Sequence, residues 1–361
     1  MISNDTHPIS EHIPKPKKIT PLLVLIAALL ILALCGIAFK KFFGGINPSP
    51  GETLSSNFLG HECSIIVNQG PGEAAIQHAL KELNVLENRI DWNDPASEIS
   101  AVNRMAGVSP VAVSADTFDL VAKAKEFAAA TSGIFDPTAG ALFALWGFSE
   151  TGSTPQNVPP STDIEKAIKT VGYQGIILYP DRQLVGLKKP GAKLNLSQIV
   201  MGYAVTKARS DLLKQGVESA KVTIGNVISV VGREREGVDW SIPISDPRRE
   251  GHILGYITLP PGGAMATATD HDRAFSVADK TYHDILNPKT GYPALDCMSV
   301  TVIGGDAASI DALSSAIFIM GPQKGMETID SLKEVQGLIV KKDGTILKSG
   351  GLTLNEGAVN P

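Results

Sequence analysis

The clearest feature of the hydrophobic pattern lies near the start of the chain. Ile19 to Phe39 reads ITPLLVLIAALLILALCGIAF, 21 residues without a charge. At about 1.5 Å of helical rise per residue, such a run crosses a hydrocarbon layer of roughly 30 Å. It exceeds the apolar region of roughly 7–15 residues in a cleavable signal peptide, so it predicts a retained transmembrane anchor. Gly36-Ile37-Ala38 leaves cleavage open, and the bulky Leu34 argues against acylation of Cys35. Lys15, Lys17 and Lys18 before the run and Lys40 and Lys41 after it barely bias the orientation. An N-terminal anchor more usually leaves the large domain outside the cytoplasm. The expected organisation is a cytoplasmic tail 1–18, an anchor 19–39, a linker 40–58 rich in Pro, Gly and Ser towards its end, and one domain 59–361.

Beyond the linker the pattern changes period repeatedly. Residues 63–68 predict a strand, and Ile76, Leu80, Leu83, Leu86 and Ile90 recur at helical spacing after Pro71. A second helix follows Ser114 as N-cap, and a third carries Val200, Tyr203, Ala204, Lys207, Ala208 and Leu212. Ile176–Tyr179 and Gln183–Leu187 flank Pro180-Asp181-Arg182 as a hairpin. The C-terminal half predicts strands at 221–224, 227–231, 239–245, 253–259, 298–303 and 336–341, with a helix from Ala307 to Met320. Strands grouped between separated helices give an α+β class, mixed sheets packed with helices, rather than a βαβ repeat. There is no internal repeat and no Gly-rich phosphate loop of the Rossmann or Walker type.

Composition narrows the function classes. A formal charge of −5, with no long run of one sign, excludes the basic footprint of a nucleic-acid binder. The three cysteines, Cys35, Cys63 and Cys297, leave at most one pair outside the apolar run, and no Cys/His spacing suits structural zinc.

Four polar stretches carry candidate chemistry. Phe135-Asp136-Pro137-Thr138 is a rigid turn offering a carboxylate and a hydroxyl near Trp146 and Phe148, aromatics able to flank a planar ligand. The plainer reading is a capped turn whose Asp and Thr satisfy local backbone donors. Leu194 to Tyr203 opens a helix whose first N–H groups suit a phosphate, although an N-cap at Asn195 or Ser197 explains the same residues. Asp311 and Ser315, four apart on a helix, share a face from which both reach a hard cation through oxygen. On spacing alone, a solvated or capping Asp is the plainer reading. Finally, TYHDILNPKTGYP (281–293) crowds His283, Asp284, Asn287, Lys289 and Thr290 into a predicted strand 282–286 and turn 287–291. A lone histidine there is more often structural than a general base.

Taken in order, these stretches resemble the FAD:protein FMN transferases, the ApbE family. The resemblance runs from about Leu59 to Val340 and includes SEISAVNR (97–104), FDPTAGALFALWGF (135–148), LNLSQIVMGYAV (194–205), TYHDILNPKTGYP (281–293) and SVTV…DALSSA (299–316). It implies a T-fold-like architecture and an exported or membrane-anchored protein, here single-pass in a bacterial inner membrane with the domain on the extracytoplasmic side. It implies FAD as substrate, Mg²⁺ as cofactor, and transfer of FMN to a threonine or serine hydroxyl with release of AMP. The implied partner is a flavin-accepting subunit of a membrane redox complex. By position, Asp311, Ser315 and the Gln198 carbonyl would hold the metal, while Ile134, Phe135, Asp136, Asn195, Met201 and Ile285 would contact FAD.

The chain departs from the family pattern where the family does chemistry. Asp-Leu-Gly-x-Ile-Ala-Lys-Gly becomes Asn195 to Gly202, which loses a carboxylate and, at Met201, a lysine. Gly-Gly-Asp becomes Gly225-Asn226-Val227, Met-Gly-Thr becomes Leu59-Gly60-His61, and the metal-site threonine becomes Ser315. Tyr-Ser-His-Ile becomes Tyr282-His283-Asp284-Ile285, so the histidine sits one place early and Asp284 takes its position. Neighbouring strand residues face opposite ways. Asp284 is therefore expected to face the site and His283 away from it, with either one a candidate base. Three readings follow: a transferase, a non-catalytic flavin-binding or scaffold homologue, and an FAD pyrophosphatase.

Overall fold

Residues 51–148 and 157–355 are described by a computed structural model. The expected tail, anchor and first part of the linker fall outside them. Among the described residues no helix is long and apolar enough to cross a membrane. The latter part of the expected linker is corrected by the structure, since Glu52–Phe58 forms strand β1. It is an edge strand that buries little beyond Phe58, so its polar sequence gave no alternating signal.

A two-residue turn at Leu59-Gly60 leads from β1 into β2 (His61–Gln69). Both turn residues have positive φ, as a type I′ hairpin requires, and leucine rarely adopts that conformation. The Leu59 N–H donates to Glu87 Oε1 at 2.7 Å, tying the turn to helix α1 (Gly72–Ile90). As the sequence predicts, α1 buries Ile76, Leu83, Leu86 and Ile90. Next come α2 (Glu98–Arg104), capped by Ser97, β3 (Val111–Ala112), and α3 (Ala115–Ala130), capped by Ser114. Two short helices follow, α4 (Gly140–Trp146) and α5 (Ser161–Ile168). The expected hairpin is β4 (Ile176–Tyr179) and β5 (Leu184–Leu187), with β3 added at its edge.

Helix α6 (Ser197–Lys214) leads into β6 (Ser219–Ile224) and β7 (Val227–Val231). The hairpin β8 (Trp240–Ser245) and β9 (Ile253–Leu259) is followed by β10 (Ala264–Thr269). A second hairpin, β11 (Ala274–Val277) and β12 (Lys280–His283), precedes β13 (Cys297–Gly304). The chain closes with α7 (Ala307–Met320), α8 (Pro322–Ser331), β14 (Gln336–Lys341) and β15 (Ile346–Lys348). The main sheet runs β1-β2-β6-β7-β10-β13-β14-β15, with every neighbouring pair antiparallel.

Helices α1, α6 and α7 cover one face of this sheet in a single core containing Ile65, Val222, Ala266, Val300 and Val302. On the other face, Trp240, Ile242, Ile257 and Leu259 of the β8–β9 hairpin pack with Met265 and Ile303. Helix α7 is predominantly apolar and buried along most of its length, its Asp311, Ser314 and Ser315 included. Its contact with α6 depends on Gly202. A Cβ there would lie 2.1 Å from the Ala307 carbonyl oxygen and 2.7 Å from Asp311 Cβ, so any larger residue forces the helices apart. Cys63 and Cys297 are buried free thiols.

Candidate active site

The β11–β12 hairpin decides the roles of the two acidic and basic candidates at its end. Its register pairs Ala274 with His283, so the next residues outward, Arg273 and Asp284, lie opposite each other. His283 is 1 % exposed and packs edge-on against Phe318. Its Nε2–H donates to the Ala294 carbonyl at 2.7 Å, and its Nδ1 accepts the Ile285 N–H at 3.3 Å. Burial lowers its pKa to about 4, against the Ala294 bond, which acts to raise it. With both nitrogens engaged inside the core, His283 is a structural residue and not a candidate base.

Asp284 has the opposite character. It is partly exposed, and its Oδ2 lies 3.9 Å from Arg273 Nη1. Burial raises its pKa to about 6, which Arg273 opposes and Asp272 reinforces. The predicted strand 282–286 ends earlier than expected, at His283, but the opposed facing of 283 and 284 holds. A carboxylate titrating near 6 is basic enough to take a proton yet ionised at neutral pH.

The predicted metal residues lie along the α6–α7 contact. Asp311 is buried, and its Oδ2 accepts the Gly202 N–H at 2.8 Å; Met201 donates a further backbone bond. Burial raises its carboxyl to about 7 despite those two bonds. Ser315 is buried one turn further along α7. Gln198 lies one turn before Gly202, and in helical geometry the Gly202 N–H points at the Gln198 carbonyl. A carbonyl oxygen has two lone pairs, so the Gln198 carbonyl keeps accepting capacity beyond one helical bond, and the Gln198 Nε2 amide is buried without a partner. A carboxylate, a hydroxyl and a carbonyl form a hard all-oxygen set that fits Mg²⁺ with water and substrate oxygens completing its shell. No group of three His, Cys, Asp or Glu residues suited to a metal occurs among the described residues, so a softer metal has no rival cage there.

Beside the start of α6 is a narrow pocket of about 60 Å³. Asn195 and Met201 line it, as expected, together with Leu59, His61, Trp92, Phe148 and Arg273. Asn195 Oδ1 accepts the Ser197 N–H at 2.8 Å, so its capping role and its place in the wall coexist. The Phe135-Asp136 turn does not reach this pocket with its side chains. Phe135 is in the core against Phe127, at 88° to it. Asp136 accepts from Thr138 N, Thr138 Oγ1 and Tyr173 N, which is the capped turn of the plainer reading. Ile134 also packs against the core, and Ile285 is buried with its N–H on His283. For Phe135, Asp136 and Ile285, backbone atoms are what remains for a ligand.

The sequence reading overlooked the segment before β11. Asp270 is buried and bonded by both Arg248 nitrogens and by Lys342. Burial pushes its carboxyl up, but those bonds outweigh the push and hold it below the usual range. Asn226 Nδ2 donates to Asp272 Oδ2 at 2.5 Å, which joins the altered Gly225-Asn226-Val227 turn to this segment. Arg273 follows, with its guanidinium 5.9 Å from the Phe148 ring centre. Its signal was the His-Asp-Arg run at 271–273, legible only once β11 and β12 are seen to pair. A roomier cleft of about 600 Å³, lined by Pro260, Gly263, Ile303, Asp330 and Ser349, includes none of these residues.

The comparisons address family and fold. The ApbE family model matches residues 59–339. A Vibrio cholerae FAD:protein FMN transferase is 29 % identical over 329 residues, covering 89 % of this chain and 94 % of the relative. One from Chlamydia trachomatis is 30 % identical over 267 residues, covering 70 % and 79 %. The crystal structure of an ApbE protein from Thermotoga maritima superposes with a TM-score of 0.77 at 33 % identity, covering 83 % of this chain and 97 % of that one. The flavin transferase ApbE from Vibrio cholerae gives 0.73 at 27 %, covering 83 % and 98 %. With a family match over most of its length and the same fold, this chain belongs to the ApbE family.

Proposed function

We propose that this protein is an FAD:protein FMN transferase in which Asp284 replaces the family's histidine as proton acceptor. The observation that carries the reading is Asp284 itself: a partly exposed carboxylate at the end of β12, opposite Arg273 of the pocket wall, with a pKa raised to about 6. A hydroxyl of the acceptor protein attacks the FMN phosphorus of FAD and gives its proton to Asp284. A new P–O bond forms to the acceptor, the bond to the AMP phosphate oxygen breaks, and AMP leaves with that electron pair. Asp311, Ser315 and the Gln198 carbonyl would hold Mg²⁺, which when bound neutralises charge on the pyrophosphate. The α6 N-terminus, with Asn195 and Ser197, orients the dinucleotide beside it.

The uncharged run 19–39 supports a single-pass anchor, and the family resemblance supports a domain outside the cytoplasm with a redox subunit at the same membrane as acceptor. The test uses the detergent-solubilised full chain with FAD, Mg²⁺ and an acceptor bearing Asp-x-x-(Ser/Thr)-Gly-Ala-Thr. Flavin fluorescence that stays on the acceptor through a denaturing gel is the expected result. AMP and free FMN without labelled acceptor would instead mean pyrophosphatase activity, and bound but unconverted FAD a binding protein.

A further inference from the structure

The main sheet carries a cleft of about 280 Å³ on the face turned away from α6 and α7. Ala266, Ala268, Val300 and Val302 pack into the helical core, so the alternating positions 267, 269, 299 and 301 face the other way. There Thr267 Oγ1 and Thr301 Oγ1 bond each other at 2.9 Å. Two residues along the ladder, Thr269 and Ser299 stand directly opposite each other and both line the cleft. Their hydroxyls are buried, Ser299 to 2 % exposure, and neither has a hydrogen-bond partner. Such groups are rare in a folded protein and mark capacity left for a ligand.

The opposite wall is strand β8, represented by Pro243, Ile244 and Ser245, with no residue from β9. Tyr256 of β9 spends its N–H and C=O on Asn355, so its partner Pro243 turns its own carbonyl away from β9. Among the described residues no strand pairs with that outer edge of β8. A proline suits it, having no N–H to leave unpaired. No lysine or arginine lines the cleft, and Asp272 does, so it is unsuited to a phosphate. Asp272 also joins the cleft to the candidate base. The register that sets Arg273 opposite Asp284 puts Asp272 one residue further out, and its charge acts on Asp284.

We propose that this cleft seats an extended segment of the acceptor protein and so brings its hydroxyl to Asp284. The segment lies along the outer edge of β8, where main-chain bonds hold it, and its remaining polar groups meet Thr269 and Ser299. The inference rests on the transferase reading.

The test separates acceptor affinity from FAD affinity in the solubilised full chain. Acceptor KM is taken from covalent flavin labelling at saturating FAD. Acceptor Kd comes from fluorescence anisotropy of the dye-labelled acceptor, and FAD Kd from flavin fluorescence. Ser245→Tyr puts a bulky ring at an exposed position of the cleft wall and is expected to raise acceptor KM and Kd at least ~10-fold. Thr269→Val combined with Ser299→Ala is expected to raise both roughly 10-fold, the worth of one or two hydrogen bonds. Neither change is expected to alter FAD Kd. Because the two hydroxyls have no partner in the free protein, their removal should leave the urea midpoint unchanged or higher. A merely structural role would therefore leave acceptor KM where it was. Unchanged acceptor KM and Kd in the double variant, or an equal loss of FAD affinity, overturns the inference even if wild type transfers FMN. Acceptor binding that weakens in the double variant of a protein that transfers nothing upholds the cleft and sinks the transferase reading instead.

Discussion

The two groups of candidate residues are held by different physics. On the α6–α7 side, Asp311 is pinned by a backbone N–H across a helix contact so close that Gly202 has no space for a Cβ. On the β11–β12 side, Asp284 sits just past the end of a two-stranded hairpin, held by a loose ion pair. On the transferase reading proposed above, the helical wall would keep the family's metal-site carboxylate, with serine in place of threonine, and the hairpin wall would have exchanged its base. A residue locked into helix packing cannot be moved without repacking a core, whereas the end of a short hairpin tolerates a different side chain at little cost to the fold. Catalytic groups on such an end are where a family can vary its chemistry.

The comparison breaks first at Asp311. Asp311→Ala removes the one carboxylate of the donor set and is expected to lower the transfer rate by at least ~10³-fold, to be measured as acceptor labelling over a Mg²⁺ titration. An unchanged rate with an unchanged Mg²⁺ dependence would show that Asp311 does not hold the metal.

Asp284→Asn should cost roughly 10²–10⁴-fold in rate, the usual worth of a general base. The base must be ionised, so wild-type kcat/KM should fall as pH drops through about 6. An acid limb at about 4 would mean that the base is not a carboxylate raised by burial.

His283→Ala sharpens the contrast from the other side. It empties a buried site against Phe318 and strands the Ala294 carbonyl, so unfolding in urea should show a loss of about 2–4 kcal/mol. Because the folded pKa is depressed to about 4 from 6.5, its contribution is present above 6.5 and lost as pH falls towards 4. The variant should therefore be less acid-sensitive in that window, with turnover of the folded fraction near wild type. The smallest effect is expected far from both walls: Ser97→Ala removes the α2 cap and should cost about 1 kcal/mol in the same assay.

How much of this was readable in the sequence follows the same division. Helix α7 is marked by its dense apolar residues behind the Asp306 cap, and α1 by its 3.6-residue period, so both appear where expected. Strand β1 has no alternating signal because only Phe58 is buried, and α4 and α5 are too short for their period to register. Asp284 and Asp311 were identified by position within motifs. Arg273 was not, because its importance comes from the pairing of Ala274 with His283, a register no local pattern states. The Phe135-Asp136 turn suggested a ligand site, but its carboxylate is used up by Thr138 and Tyr173.

The most direct test of the central claim is a gel. Full-length wild type, Asp284→Asn and His283→Gln, each shown to be folded, are incubated with FAD, Mg²⁺ and the acceptor protein, and covalent flavin fluorescence is read after denaturation. The account predicts a strong band for wild type, a comparable one for His283→Gln and almost none for Asp284→Asn. A band that survives in Asp284→Asn and vanishes in His283→Gln would contradict it.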